Sequence, residues 1–201
     1  TEENAVVLRL GRYNRTLDPG LSFVYPFGIE QVYKIPVERQ LKLEFGYRTE
    51  TAGVRSRYST ASYIDESLML TGDLNLAQVE WVVQYRINDP YRFLFKVRNP
   101  EKTLADMSES AMRQIVGDRT VDEVLTIGRQ EVALEVENIL QSLCNEYENG
   151  IKIEQIVLQD VNPPDPVKPS FNGVNEAQQQ REKLINEAKA EFNKVIPSAK
   201  G

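Results

Sequence analysis

The sequence predicts an α+β fold, and three observations carry that prediction. The first half alternates apolar and polar residues at the period of a mostly antiparallel sheet, and the second half spaces its apolar residues at helical intervals. A polar carboxy-terminal run then carries a thin apolar stripe, as the start of a coiled coil would. With 201 residues, 41% apolar and 27% charged, the chain can bury one sizeable core or two small ones.

Taken in order, Ala5 to Leu10, Leu21 to Tyr25 and Ile29 to Val37 read as short strands. Asp18-Pro19-Gly20 forms a turn between the first two, because Pro presets φ and Gly accepts a positive one. Leu41, Leu43 and Phe45 alternate with Lys42 and Glu44, giving one buried and one wet face. Residues 48–67 have no sustained period and read as a mobile loop. The strongest strand runs from Leu76 to Ile87, with Val79, Trp81, Val83 and Tyr85 on one face, and Asp89-Pro90 closes it.

After Asn99-Pro100 the set Leu104, Met107, Ala111, Met112 and Ile115 predicts a helix ending at Gly117. Thr120 with Glu123 predicts a capping box. The stripe Leu125, Gly128, Val132, Val136, Ile139, Leu143 and Tyr147 then predicts one helix of about seven turns. Gly150 ends it, and Ile151, Ile153, Ile156 and Leu158 suggest a return strand. The organisation expected is a domain over 1–161, a proline-rich hinge over 162–173, where Pro169 and Gly173 disfavour a continuous helix, and a rod over 174–201.

In the rod, Ala177, Leu184, Ala188, Phe192 and Val195 fall seven, four, four and three apart, which makes one narrow seam. The candidate oligomer interface is therefore Leu184, Ala188, Phe192 and Val195, flanked by Lys183, Glu187, Glu191 and Lys194 as charges that set register. The competing reading folds Phe192 back onto its own domain, but that would need a broader apolar face. The aromatic set Phe23, Tyr25, Phe27 and Tyr33 has two readings, a membrane-interface patch or core, and core is the expectation adopted.

Other features narrow the chemistry. A net charge of −6 without a basic stripe argues against nucleic acid as a partner. With no His and one Cys, the commonest base, metal ligand and internal disulfide are missing, and no catalytic, cofactor or metal site is assigned. Cys144 reads as a buried small hydrophobe, Asp65 and Glu66 as solvated charges, and Asn14-Arg15-Thr16 as a chance sequon. An enzyme with Ser59 or Ser67 as nucleophile would need a lysine base, and the nearest lysines are far along the chain. No window approaches about eighteen consecutive apolar residues, so the chain reads as a soluble piece, compatible with an anchor outside it.

The string Leu68-Met69-Leu70-Thr71-Gly72-Asp73, followed by Val79-Glu80-Trp81-Val82-Val83-Gln84-Tyr85-Arg86-Ile87, resembles the core of the SPFH, or band 7, family of stomatins, prohibitins and flotillins. The turn Asp18-Pro19-Gly20-Leu21 fits the same family. Arg113-Gln114-Ile115-Val116-Gly117, Leu125-Thr126-Ile127-Gly128-Arg129 and the stretches Asn175-Glu176-Ala177 and Ile185-Asn186-Glu187-Ala188 are similar to its bacterial HflK subfamily. That resemblance implies a non-enzymatic scaffold of the bacterial inner membrane, single-pass, with this domain on the periplasmic side. It also implies assembly with an HflC-like paralogue around the FtsH-type membrane protease, and self-association through the coiled coil. A stomatin-like, lipid-organising protein without a protease is the alternative.

Overall fold

A computed structural model describes residues 3–37, 39–51, 57–58, 63–125, 128–164 and 166–200. Side chains at 50–51, 57–58, 171, 175 and 194–200 lie outside the described set. The elements in chain order are β1 (Glu3–Arg9), β2 (Arg12–Leu17), β3 (Glu30–Pro36), β4 (Leu41–Phe45), β5 (Thr49–Thr51), β6 (Arg57–Tyr58), α1 (Ile64–Ser67) and β7 (Leu68–Leu70). They continue with β8 (Leu76–Ile87), α2 (Pro90–Phe95), α3 (Pro100–Gly117), α4 (Val121–Leu125), α5 (Arg129–Glu146), β9 (Ile151–Asn162) and α6 (Lys168–Lys200). The fold is α+β, with antiparallel sheets built largely from the first half, a late return strand and helices between.

The first sheet has the order β2-β1-β3. Its centre, β1, buries Val6, Val7 and Leu8 in succession, so both faces of that strand are covered. β1 and β2 join through Leu10 and Gly11, whose φ values of 50° and 78° are those of the two-residue turn that suits the strand twist. This hairpin corrects the sequence reading twice. Arg12-Tyr13-Asn14-Arg15-Thr16 pairs with β1 although it lacks an apolar alternation, and the strand expected at Leu21 to Tyr25 does not form.

The second sheet is organised on β8, which pairs with β9 along nearly its whole length and with β4 and β7. Ala77, Val79, Trp81, Val83 and Tyr85 of β8 are buried, as the alternation predicts. Leu104, Met107, Ala111, Met112 and Ile115 of α3 and Val132, Val136, Leu140 and Cys144 of α5 are buried as well, and α5 packs on β9 and α3. Trp81 stacks on Phe45 with ring centroids 4.4 Å apart, and its indole N–H donates to Ser108 Oγ at 3.0 Å. That bond satisfies a polar atom the core would otherwise strand.

The helices show two departures and one agreement. Asp89 does not merely end β8: its Oδ1 accepts from the amides of Tyr91 and Arg92 at 3.0 and 3.1 Å, so Asp89-Pro90 is a cap followed by proline in the first turn, opening α2. The single long helix expected after Thr120 is two, α4 and α5. The Gly128 amide turns back to the Glu123 carbonyl at 2.9 Å, and a Cβ at Gly128 would lie 2.5 Å from that oxygen. The expected capping box does form: Glu123 Oε2 accepts from the Thr120 amide and hydroxyl, both at 2.9 Å, and Thr120 Oγ1 accepts from the Glu123 amide.

Within the segment read as a loop, 48–67, β5 pairs with β6 and α1 precedes β7; residues 52–56 and 59–62 lie outside the described residues. The chain divides into two units, Thr1–Asn162 and Pro163–Gly201. In the second unit α6 begins at Lys168, so residues 168–173 of the segment expected as a hinge, 162–173, are helical. Pro169 falls in the first helical turn, where its missing N–H has no partner to lose.

Candidate functional site

Ser67 is fully buried, and its hydroxyl lies 3.4 and 3.3 Å from the carbonyls of Tyr63 and Ile64, one turn back. Ser59 lies outside the described residues. Glu66 gives both oxygens to Arg48 Nη2 at 3.0 Å, and Asp65 offers its backbone carbonyl to Arg113. A cavity of about 280 Å³ is lined by Leu43, Phe45 and Ala105, with Lys42, Glu44, Arg48 and Thr49 at its polar side. Glu44 in that wall is already committed, accepting from Lys42 Nζ at 2.7 Å, Thr49 Oγ1 at 2.9 Å and the Thr49 amide at 2.7 Å. Burial works to raise its carboxyl, but those bonds hold it below the ordinary range.

Cys144 is 2% exposed, and burial pushes its thiol up, as fits a packed small hydrophobe rather than a nucleophile. Among the described residues no group of three or more Cys, Asp and Glu is placed to hold a metal ion. No described helix is long and apolar enough to cross a membrane.

Two surfaces remain that folding alone does not explain. On α6 every described side chain is exposed. Leu184 is 65% and Phe192 64% exposed, with Ala188 exposed between them, so the apolar seam has no cover within its own helix. Lys183, Glu187 and Glu191 flank it, with Lys183 Nζ 3.9 Å from Glu187 Oε1. The side chains of Val195 and Lys194, also expected in the interface, lie outside the described set. Helical spacing brings Leu184, Ala188 and Phe192 to one face, as the sequence implies.

The second surface overturns an expectation. Phe23 and Phe27 are 91% and 97% exposed, and Tyr25 and Tyr33 are exposed as well, so these rings are not core. Leu21, at 96%, joins them. For Phe23, Tyr25 and Phe27 the physical reason is that residues 18–29 form no strand but run as a strap between β2 and β3, where only Val24, Tyr25 and Ile29 are partly covered; Tyr33 lies on β3, an edge strand of the first sheet. Phe27 sits at a φ of 64°, as does the exposed Leu10 at 50°. A left-handed backbone is costly for a bulky residue, and an apolar side chain in water returns nothing to folding.

The motif residues that carry the resemblance have structural work. Asp73 Oδ1 accepts from Thr71 Oγ1 at 2.6 Å and from the Val121 amide at 3.1 Å, stapling the turn between β7 and β8 to the start of α4. Gly72 donates its amide to the Arg119 carbonyl at 2.7 Å, and a Cβ there would lie 2.9 Å from the Gly117 carbonyl. Arg119 in turn reaches Glu135 at 2.7 Å and Glu131 at 3.4 Å on α5, so one junction fixes hairpin, α4 and α5 together.

Comparison with known proteins agrees with this architecture. The model described as "SPFH domain / Band 7 family" matches residues 1–192. The chain is 41% identical over 201 residues to "Protein HflK" of Treponema pallidum (strain Nichols), covering 99% of this chain and 61% of that protein. It is 38% identical over 200 residues to "Protein HflK" of Borreliella burgdorferi, covering 99% and 63% respectively. It is 31% identical over 199 residues to "Modulator of FtsH protease HflK" of Escherichia coli (strain K12), covering 99% and 42%. The chain thus spans roughly two-fifths to three-fifths of the length of these relatives. With the family model running from the first strand into α6, over the same hairpin and helix junction, the chain belongs to the SPFH domain / Band 7 family.

Proposed function

We propose that this chain is the SPFH portion of a non-enzymatic, oligomeric membrane scaffold that regulates an FtsH-type membrane protease. In this reading it acts with an HflC-like paralogue, and the assembly encloses the protease and limits which substrates reach it. It is held at the bacterial inner membrane by a single-pass anchor outside this chain, with the domain on the periplasmic side. The observation that carries the reading is the likeness over 99% of the chain to proteins called HflK, one of them a modulator of FtsH protease. The exposed seam of α6 supports it, because a stripe with no cover in its own helix suits a parallel neighbour. The committed hydroxyls and carboxylates support a scaffold rather than a catalyst.

A second reading, a lipid-organising protein of the stomatin kind without a protease, is favoured by the exposed Leu21, Phe23 and Phe27, whose side chains suit an interfacial environment. One experiment separates the two. The full-length, anchored protein is purified from membranes in mild detergent beside the double variant Leu184→Asp, Phe192→Asp. A large assembly that contains an FtsH-type protease and disperses in the variant supports enclosure. A large assembly without protease supports the lipid-organising reading, and normal assembly of the variant removes the seam from the interface.

A further inference from the structure

The strap over residues 18–29 is held in an unusual way. Among the described residues, no backbone-to-backbone hydrogen bond joins residues 18–28 to the rest of the protein; the first is from the Leu10 amide to the Ile29 carbonyl. Apolar burial holds it little, since Leu21, Phe23 and Phe27 are almost wholly exposed and only Val24, Tyr25 and Ile29 are partly covered. Beneath it a cavity of about 220 Å³ separates Gly20, Ser22 and Val24 from Ala5, Leu17 and Val32 of the sheet. A segment with neither ladder nor core should fray.

What it has instead converges on one carboxylate. The Glu30 side chain is fully buried at the first position of β3. Its Oε2 accepts from the Tyr25 amide at 3.1 Å, in the middle of the strap. Asn14 Nδ2 and Arg15 Nη1 of β2 donate to Oε1 at 3.2 and 3.1 Å, and Arg15 Nη2 donates to Oε2 at 3.2 Å. The same Arg15 Nη2 donates to the Phe23 carbonyl at 3.1 Å, and Arg9 of β1, 3.4 Å from Glu30 Oε1, lies over the Tyr25 ring at 4.8 Å from its centroid. Each of these tethers is made by Glu30 or by an arginine that Glu30 orients.

We propose that Glu30 is a clasp: its buried carboxylate fixes the strap on the first sheet, and its loss releases the strap as a unit while the rest of the domain stays folded. Glu30 is then a positioning residue for the exposed Leu21, Phe23 and Phe27, whatever surface they meet. The clasp is local, because Glu30 and its partners Arg9, Asn14 and Arg15 lie on the three strands of one small sheet.

Limited chymotrypsin digestion of the intact chain at neutral pH tests this, with Glu30→Gln compared to wild type. Cleavage after Leu21, Phe23 and Phe27 is followed by mass spectrometry, the bond after Tyr25 being protected by Pro26, and emission of the single Trp81 reports the core. The expected result is about tenfold faster cleavage in the strap with unchanged Trp81 emission, as local opening without global unfolding requires. Unchanged cleavage overturns the clasp. If Glu30→Gln unfolds the core, Arg15→Gln decides, because it cuts the Phe23 tether and leaves the carboxylate. Faster strap cleavage with a native Trp81 signal then supports the clasp, whereas no acceleration, or a lost core in this variant too, overturns it.

Discussion

A carboxylate at the start of an edge strand would ordinarily face water, and at Glu30 it does not. Burial alone would raise its carboxyl, yet the Tyr25 amide and the charges of Arg15 and Arg9 outweigh burial and hold it below the ordinary value of 4.5. The direction fixes the sign of its effect. A group whose native pKa is depressed stabilises the fold fully above its unfolded value and loses that contribution as pH falls through the native one. Wild type is therefore expected to exceed Glu30→Gln in urea midpoint at pH 7, with the gap narrowing below about 4.5 and closing in stronger acid. A gap that persists to about pH 2 would assign the difference to shape rather than charge. None of this was legible in the sequence, where Glu30 sits among alternating residues like any solvent-facing acid; only the return of Arg9, Arg15 and Tyr25 to one point gives it a role.

At the scale of elements, the sequence was readable where one period governs a whole segment. β8 and α3 have apolar sets that repeat at two and at three to four residues, and both appear with the expected buried faces. It misled where two physical causes write the same letters. Leu21, Phe23 and Tyr25 alternate as a strand does but meet no partner strand, while the polar β2 is held by ladder bonds and turn geometry that hydropathy cannot register. Asp89-Pro90 was readable as a stop and is also a start, since a side-chain acceptor followed by proline suits the first turn of a helix.

Junctions are thus the sensitive elements, and Gly150 is the clearest. It has a φ of 72°, its carbonyl accepts from the amides of Asn88 and Asp89 at 2.8 and 3.1 Å, and a Cβ there would lie 2.3 Å from the Asp89 carbonyl. Gly150→Ala is expected to destabilise by about 2–5 kcal/mol, combining left-handed strain of ~1–2 kcal/mol with overpacking against backbone. Urea unfolding checks it, and a loss under about 1 kcal/mol would mean that α5, β9 and α2 do not meet so closely.

For the whole molecule the decisive quantity is how much apolar surface the rod offers a neighbour. The shared face of Leu184, Ala188 and Phe192 was legible because spacing alone sets it, whereas what would cover that face leaves no periodicity in this chain. α6, at 33 residues, is about 50 Å long at 1.5 Å per residue, but the described seam has only two large apolar side chains, separated by one alanine. A stable pair of proteins buries about 1,000 Å² or more, and this stripe with its charged flanks falls short of that in a single pairwise contact. Tethering many copies side by side raises the effective concentration, so contacts too weak for free chains suffice in a closed ring. The 201-residue chain at about 10 μM is therefore expected to sediment chiefly as the 23.0 kDa monomer, with association growing at higher concentration and reduced by Leu184→Asp. A discrete, tight oligomer at that concentration would place the main interface on the domain rather than on the rod, and Leu184→Asp would then leave it intact.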